Sequence, residues 1–413
     1  MLYRFLLPAA LCLFISHCSH QEGGLKNEGG SSRPLTVIAI GDAGEAGSAL
    51  RANATLLTSM YTGQHDGGQY DAMIFLGDNF YNTGLNVPAD EVENYVKKIL
   101  GPFKVPFEGL GRGNIHAIAG NHDYYAKNAI ETSVLFGLIN IAEGPIGLTD
   151  KGNKREAAIS QWTYYYNLPG STVYPLAAGS PDSVQFIFVD SALPLRTDTS
   201  AWVPALDSLR NLLAASGKRK GIIWRILALH HPLYSVGEHA GYTVWNDETN
   251  TVDHLTPCDK DSNAVGWIKN FLDPEDLCAD KYRQFMAALK SVIESSGTRI
   301  QLSLAGHEHS MQLLYYPEAD PGCDDCPKIH VISGAGSKPC KVKFPSPPTE
   351  FTSAQLVPSK QGESVPGFAQ LTFERETLRV VFFNGNAIVP MDMGGGRKEF
   401  VITADGHLQD DAK

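Results

Sequence analysis

The chain has 413 residues, 43% of them hydrophobic, enough to bury one large core or two modest ones, which excludes an extended or disordered protein. A formal charge of −11 argues against a nucleic-acid backbone as partner, because such binding needs a basic face. An anionic substrate would need local positive charge, for which bound metal ions are a compact source.

In chain order, "MLYRFLLPAALCLFIS" carries an early Arg4 and then an apolar run too short to span a bilayer, so residues 1–17 read as a secretory signal. It ends at "FISHCSH", where Cys18 has the place of the lipidated cysteine of a bacterial lipobox, although His17 departs from the small residue usual there. Ordinary signal cleavage nearby is the alternative. Residues 18–34, rich in Gly and Ser, form a hydrophilic tether. The chain is thus expected to be exported, either held at the cell envelope through Cys18 or secreted. No later segment is a membrane-span candidate. Beyond Cys12 and Cys18 remain Cys258, Cys278, Cys323, Cys326 and Cys340, an odd number, so at least one is unpaired or pairs between chains. Cys323 and Cys326 have the spacing of half a zinc site with no second such pair. A loop-tip disulfide is expected instead, with Cys340 as an alternative partner.

Apolar β-rich runs then alternate with helical patterns. "LTVIAIGD" (35–42), "DAMIFLGDN" (71–79) and "IHAIAGNHD" (115–123) read as strands, separated by helices at "SALRANATLLTSMY" and "PADEVENYVKKIL", the latter with Pro88 at its start. The second half repeats the scheme with "QFIFVD" (185–190), "IIWRILALHHP" (222–232) and "IQLSLAGHEH" (301–309) around two further helices, "ALDSLRNLLAAS" and "KYRQFMAALKSVIESS". Afterwards "KIHVISGAG", "FAQLTFERE", "TLRVVFFNGN" and "EFVITADG" read as strands joined by short turns, expected to complete a second sheet. Repeated β-α-β implies a layered α/β fold in a single domain over residues 35–404.

Five of these strands end in polar clusters, and ligands of α/β folds collect at the carboxyl ends of strands. The clusters are Asp42 in "AIGDAG", Asp78 with Asn79 and Tyr81 in "LGDNFY", Asn121, His122 and Asp123 in "AGNHDYY", His230 and His231 in "LALHHP", and His307 and His309 in "LAGHEH". Each alone is an ordinary capped turn or surface histidine. Together they supply carboxylates, imidazoles, a carboxamide and a phenol, the donor inventory of a dinuclear metal site with a bridging carboxylate.

In order and spelling, G-D-x-G, G-D-N-x-Y, G-N-H-D, H-x-P and G-H-x-H, the set resembles the calcineurin-like metallophosphoesterases and, within them, the purple acid phosphatases of tartrate-resistant type, over residues 35–393. The resemblance implies a four-layer α/β/β/α sandwich. Most of the superfamily begins with D-x-H, whereas Gly44 stands at that third position here and Tyr81 supplies the replacement ligand, as in the purple acid phosphatases. Carried over, the first metal takes Asp42, Asp78, Tyr81 and His309, and the second takes Asp78 as bridge, Asn121, His230 and His307. His230 is preferred to His231 because neighbouring residues on a strand face opposite ways.

The same resemblance implies Fe(III) plus a divalent iron, zinc or manganese ion. It implies hydrolysis of a small phosphorylated substrate, a phosphate monoester, in acid by attack of a metal-bound hydroxide. His122 and His239, in "GEHAG", match positions that face the phosphate or leaving group, and Asp123 and Asp190 read as supporting aspartates, the first orienting His122. A phosphodiesterase or nucleotidase on the same core, or a non-catalytic phosphate- or metal-binding envelope lipoprotein, are the other readings. An insertion around 242–280 exceeds what compact members need, and Cys258 and Cys278 could staple it over the pocket or it could pack outside. The Pro/Ser-rich 343–366 reads as a plain loop.

Overall fold

The computed structural model describes residues 21–22, 33–64, 69–85, 91–125, 162–197, 199–235, 239, 244–246, 251–254, 279–315, 323–340, 355–358, 365–386, 390–391, 393 and 397–409. The signal, the lipobox cysteine, most of the tether and insertion, and the Cys258–Cys278 staple lie outside them.

The strands, numbered along the chain, are β1 (Gln21–Glu22), β2 (Leu35–Ile40), β3 (Ala72–Phe75), β4 (Ile115–Ile118), β5 (Thr163–Tyr165), β6 (Gly170–Pro175), β7 (Ser183–Val189), β8 (Ile222–Leu229), β9 (Val244–Asn246), β10 (Thr251–His254), β11 (Leu302–Ala305), β12 (Met311–Tyr315), β13 (Ile329–Ser333), β14 (Gln355–Pro358), β15 (Gly367–Phe373), β16 (Thr377–Asn384) and β17 (Phe400–Thr403). They form two mixed sheets, ordered β17-β16-β15-β2-β3-β4-β5 and β1-β6-β7-β8-β11-β13-β12-β14. A separate ribbon, β9–β10, is what is described of the insertion.

Period-two alternation separates the layers. On β2, Leu35, Val37 and Ala39 belong to one core cluster while Ile38 and Ile40 belong to another. On β7, Val184, Phe186 and Phe188 join Leu35 in the first cluster, whereas Ile187 and Val189 join a third. The first cluster draws on both sheets and is therefore the dry space between them. The second is closed by the helix Ser48–Tyr61 through Leu50, Leu57 and Met60, and the third by Asp280–Ser296 and Thr199–Gly217 through Phe285, Leu289 and Leu213. Helix, sheet, sheet and helix thus stack in the four expected layers, one domain with apolar strands buried on both faces.

Two expectations change. The C-terminal strands β15 to β17 complete the first sheet rather than the second, because β15 pairs antiparallel with β2, in register Phe373 to Leu35 and Ala369 to Ala39. Of that run β13 alone joins the second sheet, parallel to β11. The segment 343–366, expected to be a plain loop, contributes β14, paired antiparallel with β12.

Within the first sheet β2, β3 and β4 run parallel, and within the second β7, β8, β11 and β13 do. Their carboxyl ends meet across the sandwich: Gly41 N–H donates to Ser333 O at 2.6 Å and His307 N–H to the Asp42 carboxylate at 2.8 Å. The polar strand ends are thereby brought to one edge.

Candidate metal centre

At that edge Tyr81 Oη donates to Asp42 Oδ1 at 3.0 Å and lies 3.0 Å from His309 Nε2. His309 Nε2 is 3.4 Å from the same Asp42 oxygen. On the other side His230 Nε2 lies 2.9 Å from Asn121 Oδ1 and 3.4 Å from Asp78 Oδ1. Asp78 accepts from the His122 backbone N–H at 2.9 Å. Asn121 donates through Nδ2 to Tyr125 Oη at 2.8 Å, which leaves its carbonyl oxygen facing His230. His230 Nδ1 donates to Leu76 O at 2.7 Å, which fixes the ring with Nε2 as the nitrogen that faces the site. All seven residues expected as ligands are therefore gathered, with Asp78 at the middle.

The backbone is shaped for this convergence. Asp42, Asp78 and His307 each adopt positive φ (56°, 50° and 68°), a left-handed conformation costly for residues with a Cβ, and the described chain has just one other such residue outside glycine, Asn167. Gly77, with φ of 90°, is packed so tightly that a Cβ there would lie 2.4 Å from His230 Nδ1. At Gly44 a Cβ would lie 2.5 Å from Phe80 N and 2.6 Å from Asp78 O. No side chain fits at position 44 unless that backbone moves, and the Tyr81 N–H donates to Gly44 O at 3.0 Å.

The electrostatics ask for cations. Asp42 and Asp78 are buried, 0% and 1% exposed. Burial alone would raise the Asp42 pKa, but the His309 hydrogen bond and the charges of His230 and His309 outweigh it and hold the carboxyl below its usual range. Burial, together with the charges of Asp42 and Asp78, drives the Tyr81 phenol well above its ordinary pKa, so it ionises only if a cation compensates. Burial likewise keeps His307 neutral, and its Nε2 has no hydrogen-bond partner among the described residues. Ligating nitrogens and carboxylate oxygens cluster within 4.8 Å in two groups, Asp42 with Asp78 and His230, and His230 with His231 and His307. Two buried anions, an unpartnered imidazole nitrogen and a phenol lacking its counter-charge fit a pair of bound metal ions.

His122 sits between Tyr81 and Tyr125 in edge-to-face contact, with ring centroids 4.5 and 4.4 Å away. Its Nδ1 contacts Asn82 O at 2.6 Å and its Nε2 is 3.9 Å from Asp78 Oδ2. His239 also comes to the site, its ring 4.5 Å from that of His307 and its N–H donating to Glu308 at 3.1 Å. Asp123, expected to orient His122, instead accepts from Asn79 N–H, Asn79 Nδ2 and Gly120 N–H and so pins the turns that carry Asp78 and Asn121. Asp190 accepts from Tyr124 Oη and from the N–H groups of Asn167, Ala192 and Leu193.

A sequence profile matches residues 35–311, more than half of the chain. The chain belongs to the calcineurin-like phosphoesterase family. This phosphoesterase shares its fold with GAP50, the anchor in the inner membrane complex of Plasmodium, with a TM-score of 0.54 and 14% identity over 90% of this chain and 88% of that one. A dimetal phosphatase from Danio rerio scores 0.42 at 12% identity, over 90% of this chain and 99% of its own. PhoD scores 0.47 at 10% identity, over 92% and 72% respectively. No curated protein is detectably similar in sequence. The family is one that uses dinuclear metal centres, in keeping with the donor set.

Three neighbours of the site, Ser191, Lys338 and Cys340, lie outside the motifs, and a fourth, His231, lies within one but is not among the expected ligands. His231 is wholly buried beside His230 and His307, although alternation along a strand would send it away. The reason is that β8 ends at Leu229, so the rule does not govern the two histidines. Ser191, after β7, lies 3.0 Å from His231 Nδ1. In the loop after β13, Lys338 Nζ sits 4.2 Å from the Tyr81 ring centroid and Cys340 Sγ lies 3.5 Å from His309 Nδ1. Cys323 and Cys326 form the disulfide, and Cys340 is free. A parallel strand with a Gly-rich end, "ISGAGSKPC", was the available signal for that loop.

Proposed function

We propose that this phosphoesterase is an exported acid phosphatase of purple acid phosphatase type, which hydrolyses small phosphate monoesters with Fe(III) and a divalent ion. The single observation that carries the reading is Tyr81, in contact with Asp42 and His309, while Gly44 offers no side-chain ligand of its own. Asp42, Asp78, Tyr81 and His309 offer three anionic donors to one ion, which suits a hard trivalent cation. Asp78, Asn121, His230 and His307 offer one shared anion and neutral donors, which suits a divalent ion.

When bound, the two ions supply positive charge to the phosphate and acidify a water for in-line attack. The chain's own residues do the rest. His122, with Nδ1 held by Asn82 O, presents Nε2 towards Asp78 and the open side of the site, where in its protonated form it donates to a phosphate oxygen or the leaving alkoxide. The flanking Tyr81 and Tyr125 rings fix its plane. His239, beside His307, is the second candidate donor. Export is read from the N-terminal signal, and Cys18 would add a lipid tether.

The fold alone does not imply turnover, since a relative of the same fold is described as an anchor. The complete donor set with His122 in place supports an enzyme, because a binding-only descendant has no need of the proton donor. The decisive experiment compares hydrolysis of an aryl phosphate and its diester by wild type, Asp78→Ala and Asp182→Ala, the last lying in a turn where it meets Arg375. Monoester turnover lost in Asp78→Ala alone is the expected result. A faster diester makes the protein a phosphodiesterase, and equal rates in all three end the dinuclear reading.

A further inference from the structure

The His230–His231 pair raises a question that the expected ligand set leaves open, because that set uses one imidazole of the two. His231 is 0% exposed, and its Nε2 has no hydrogen-bond partner among the described residues. Buried polar atoms are almost always satisfied, so an unpartnered one calls for a reason. Elsewhere in this protein a purely structural histidine uses both nitrogens: His116 sits at 2.7 Å from Tyr174 Oη through Nε2 and 3.3 Å from Tyr165 Oη through Nδ1.

The orientation of His231 is fixed from one side only. Ser191 Oγ accepts from the His231 backbone N–H at 2.9 Å and lies 3.0 Å from Nδ1. With Oγ accepting from Nδ1–H as well, Nε2 keeps its lone pair. It shares its surroundings with the other unpartnered imidazole nitrogen of the site, Nε2 of His307, the two rings being 4.4 Å apart by centroid. The His230 ring is 4.9 Å from that of His231 and 5.1 Å from that of His307. One nitrogen from each of the three lies within 4.8 Å of the others, a spacing compatible with a common ion once the rings settle on it.

We infer that His231 is a further ligand of the second metal position, giving that position three imidazoles, His230, His231 and His307, and with them a preference for zinc over manganese. This rests on the dinuclear reading above. Three neutral nitrogens favour zinc and its late-transition neighbours, whereas manganese and magnesium favour oxygen donors. The first position, rich in anionic oxygen, is unaffected by His231. The two positions of one site are thus chemically divided, oxygen-rich around Asp42 and Tyr81 and nitrogen-rich around His231.

The test titrates chelator-stripped protein with Zn²⁺, Mn²⁺ and Co²⁺, comparing wild type, His231→Gln and Ser191→Ala, with far-UV circular dichroism confirming that each is folded. Wild type should bind two ions, with zinc preferred at the weaker-charged position. His231→Gln should weaken zinc there by about 10-fold or more, leave manganese within about a factor of two, and shift the Co²⁺ visible bands, since lost ligands and their supports typically cost 10- to 100-fold. Ser191→Ala, which frees the ring without removing it, should move zinc affinity in the same direction by less. Two ions bound with unchanged zinc affinity and unchanged Co²⁺ bands in both variants would overturn the role of His231 while leaving the dinuclear site intact. Fewer than two ions in wild type would overturn both.

Discussion

Cys340 Sγ lies 3.5 Å from Nδ1 of His309, the imidazole whose Nε2 faces the Tyr81 hydroxyl at 3.0 Å. The Cys340 backbone N–H also donates to His309 O at 2.9 Å, so the loop after β13 grips that histidine at two points. A ligating imidazole keeps its orientation through the partner of its other nitrogen. Cys340→Ala should therefore lower metal retention at the His309 position by about 10- to 100-fold, whereas Cys340→Ser should retain most of it. Metal content after dialysis against a mild chelator measures both. Equal retention in Cys340→Ala and wild type would show that the backbone contact suffices.

Gly77 joins the two halves of the site by having no side chain. A Cβ there would lie 2.4 Å from His230 Nδ1 and 2.9 Å from Gly120 Cα, and φ is 90°. Gly77→Ala should destabilise the fold by roughly 1–3 kcal/mol through overpacking, with backbone strain adding to it, and push His230 away from Asn121. Chemical denaturation gives the first quantity and zinc titration the second. Wild-type values for both would mean that the β3 turn is softer than its packing implies.

The layers and the site edge were legible because apolar strands ending in polar clusters encode both periodicity and chemistry. "LTVIAIGD" shows a buried strand and a ligand in eight letters. What stayed hidden depended on partners distant along the chain. The apolar pattern of β15 does not say which sheet it joins; its register with β2 does. Cys340 looked like a disulfide candidate because compartment and count were the visible evidence, whereas its contact with His309 is made by a loop whose path no local pattern specifies. Strand alternation does not govern His231, which lies two residues past the end of β8 at Leu229.

Tyr81 separates two kinds of site. A phenolate on ferric iron absorbs visible light by charge transfer, which zinc or manganese(II) alone does not produce. Iron-reconstituted, oxidised protein should be violet or pink, and Tyr81→Phe should be colourless with its fold intact, because the ring stays beside His122 while the oxygen is removed. Absorption spectra of the two proteins, with thermal melts as control, decide it. A colourless wild type under those conditions returns the site to a pair of divalent ions, and the acid optimum loses its physical basis with it.

The proposed acid activity also requires a fold that survives acid, and two buried histidines oppose that. Burial lowers the pKa of His116 to about 3, and burial with a contribution from Lys290 lowers His330 to about 3, against an ordinary 6.5. Their folded pKa lies below the unfolded one, so the stability they permit is complete above pH 6.5 and is lost as pH falls from there towards 3, where the unfolded chain binds protons that the folded one refuses. Each histidine contributes a slope of about 1.4 kcal/mol per pH unit in that window, or about 2 kcal/mol by pH 5, a sizeable part of a typical domain's stability. Urea unfolding of wild type and His116→Gln at pH 7, 6, 5 and 4 isolates one of the two, because the carboxylates of the metal site are common to both proteins. The variant should start less stable, having lost its bonds to Tyr174 and Tyr165, yet decline less steeply, so that the two curves converge towards pH 4. Parallel curves would mean that His116 takes up its proton in the folded state as readily as in the unfolded one.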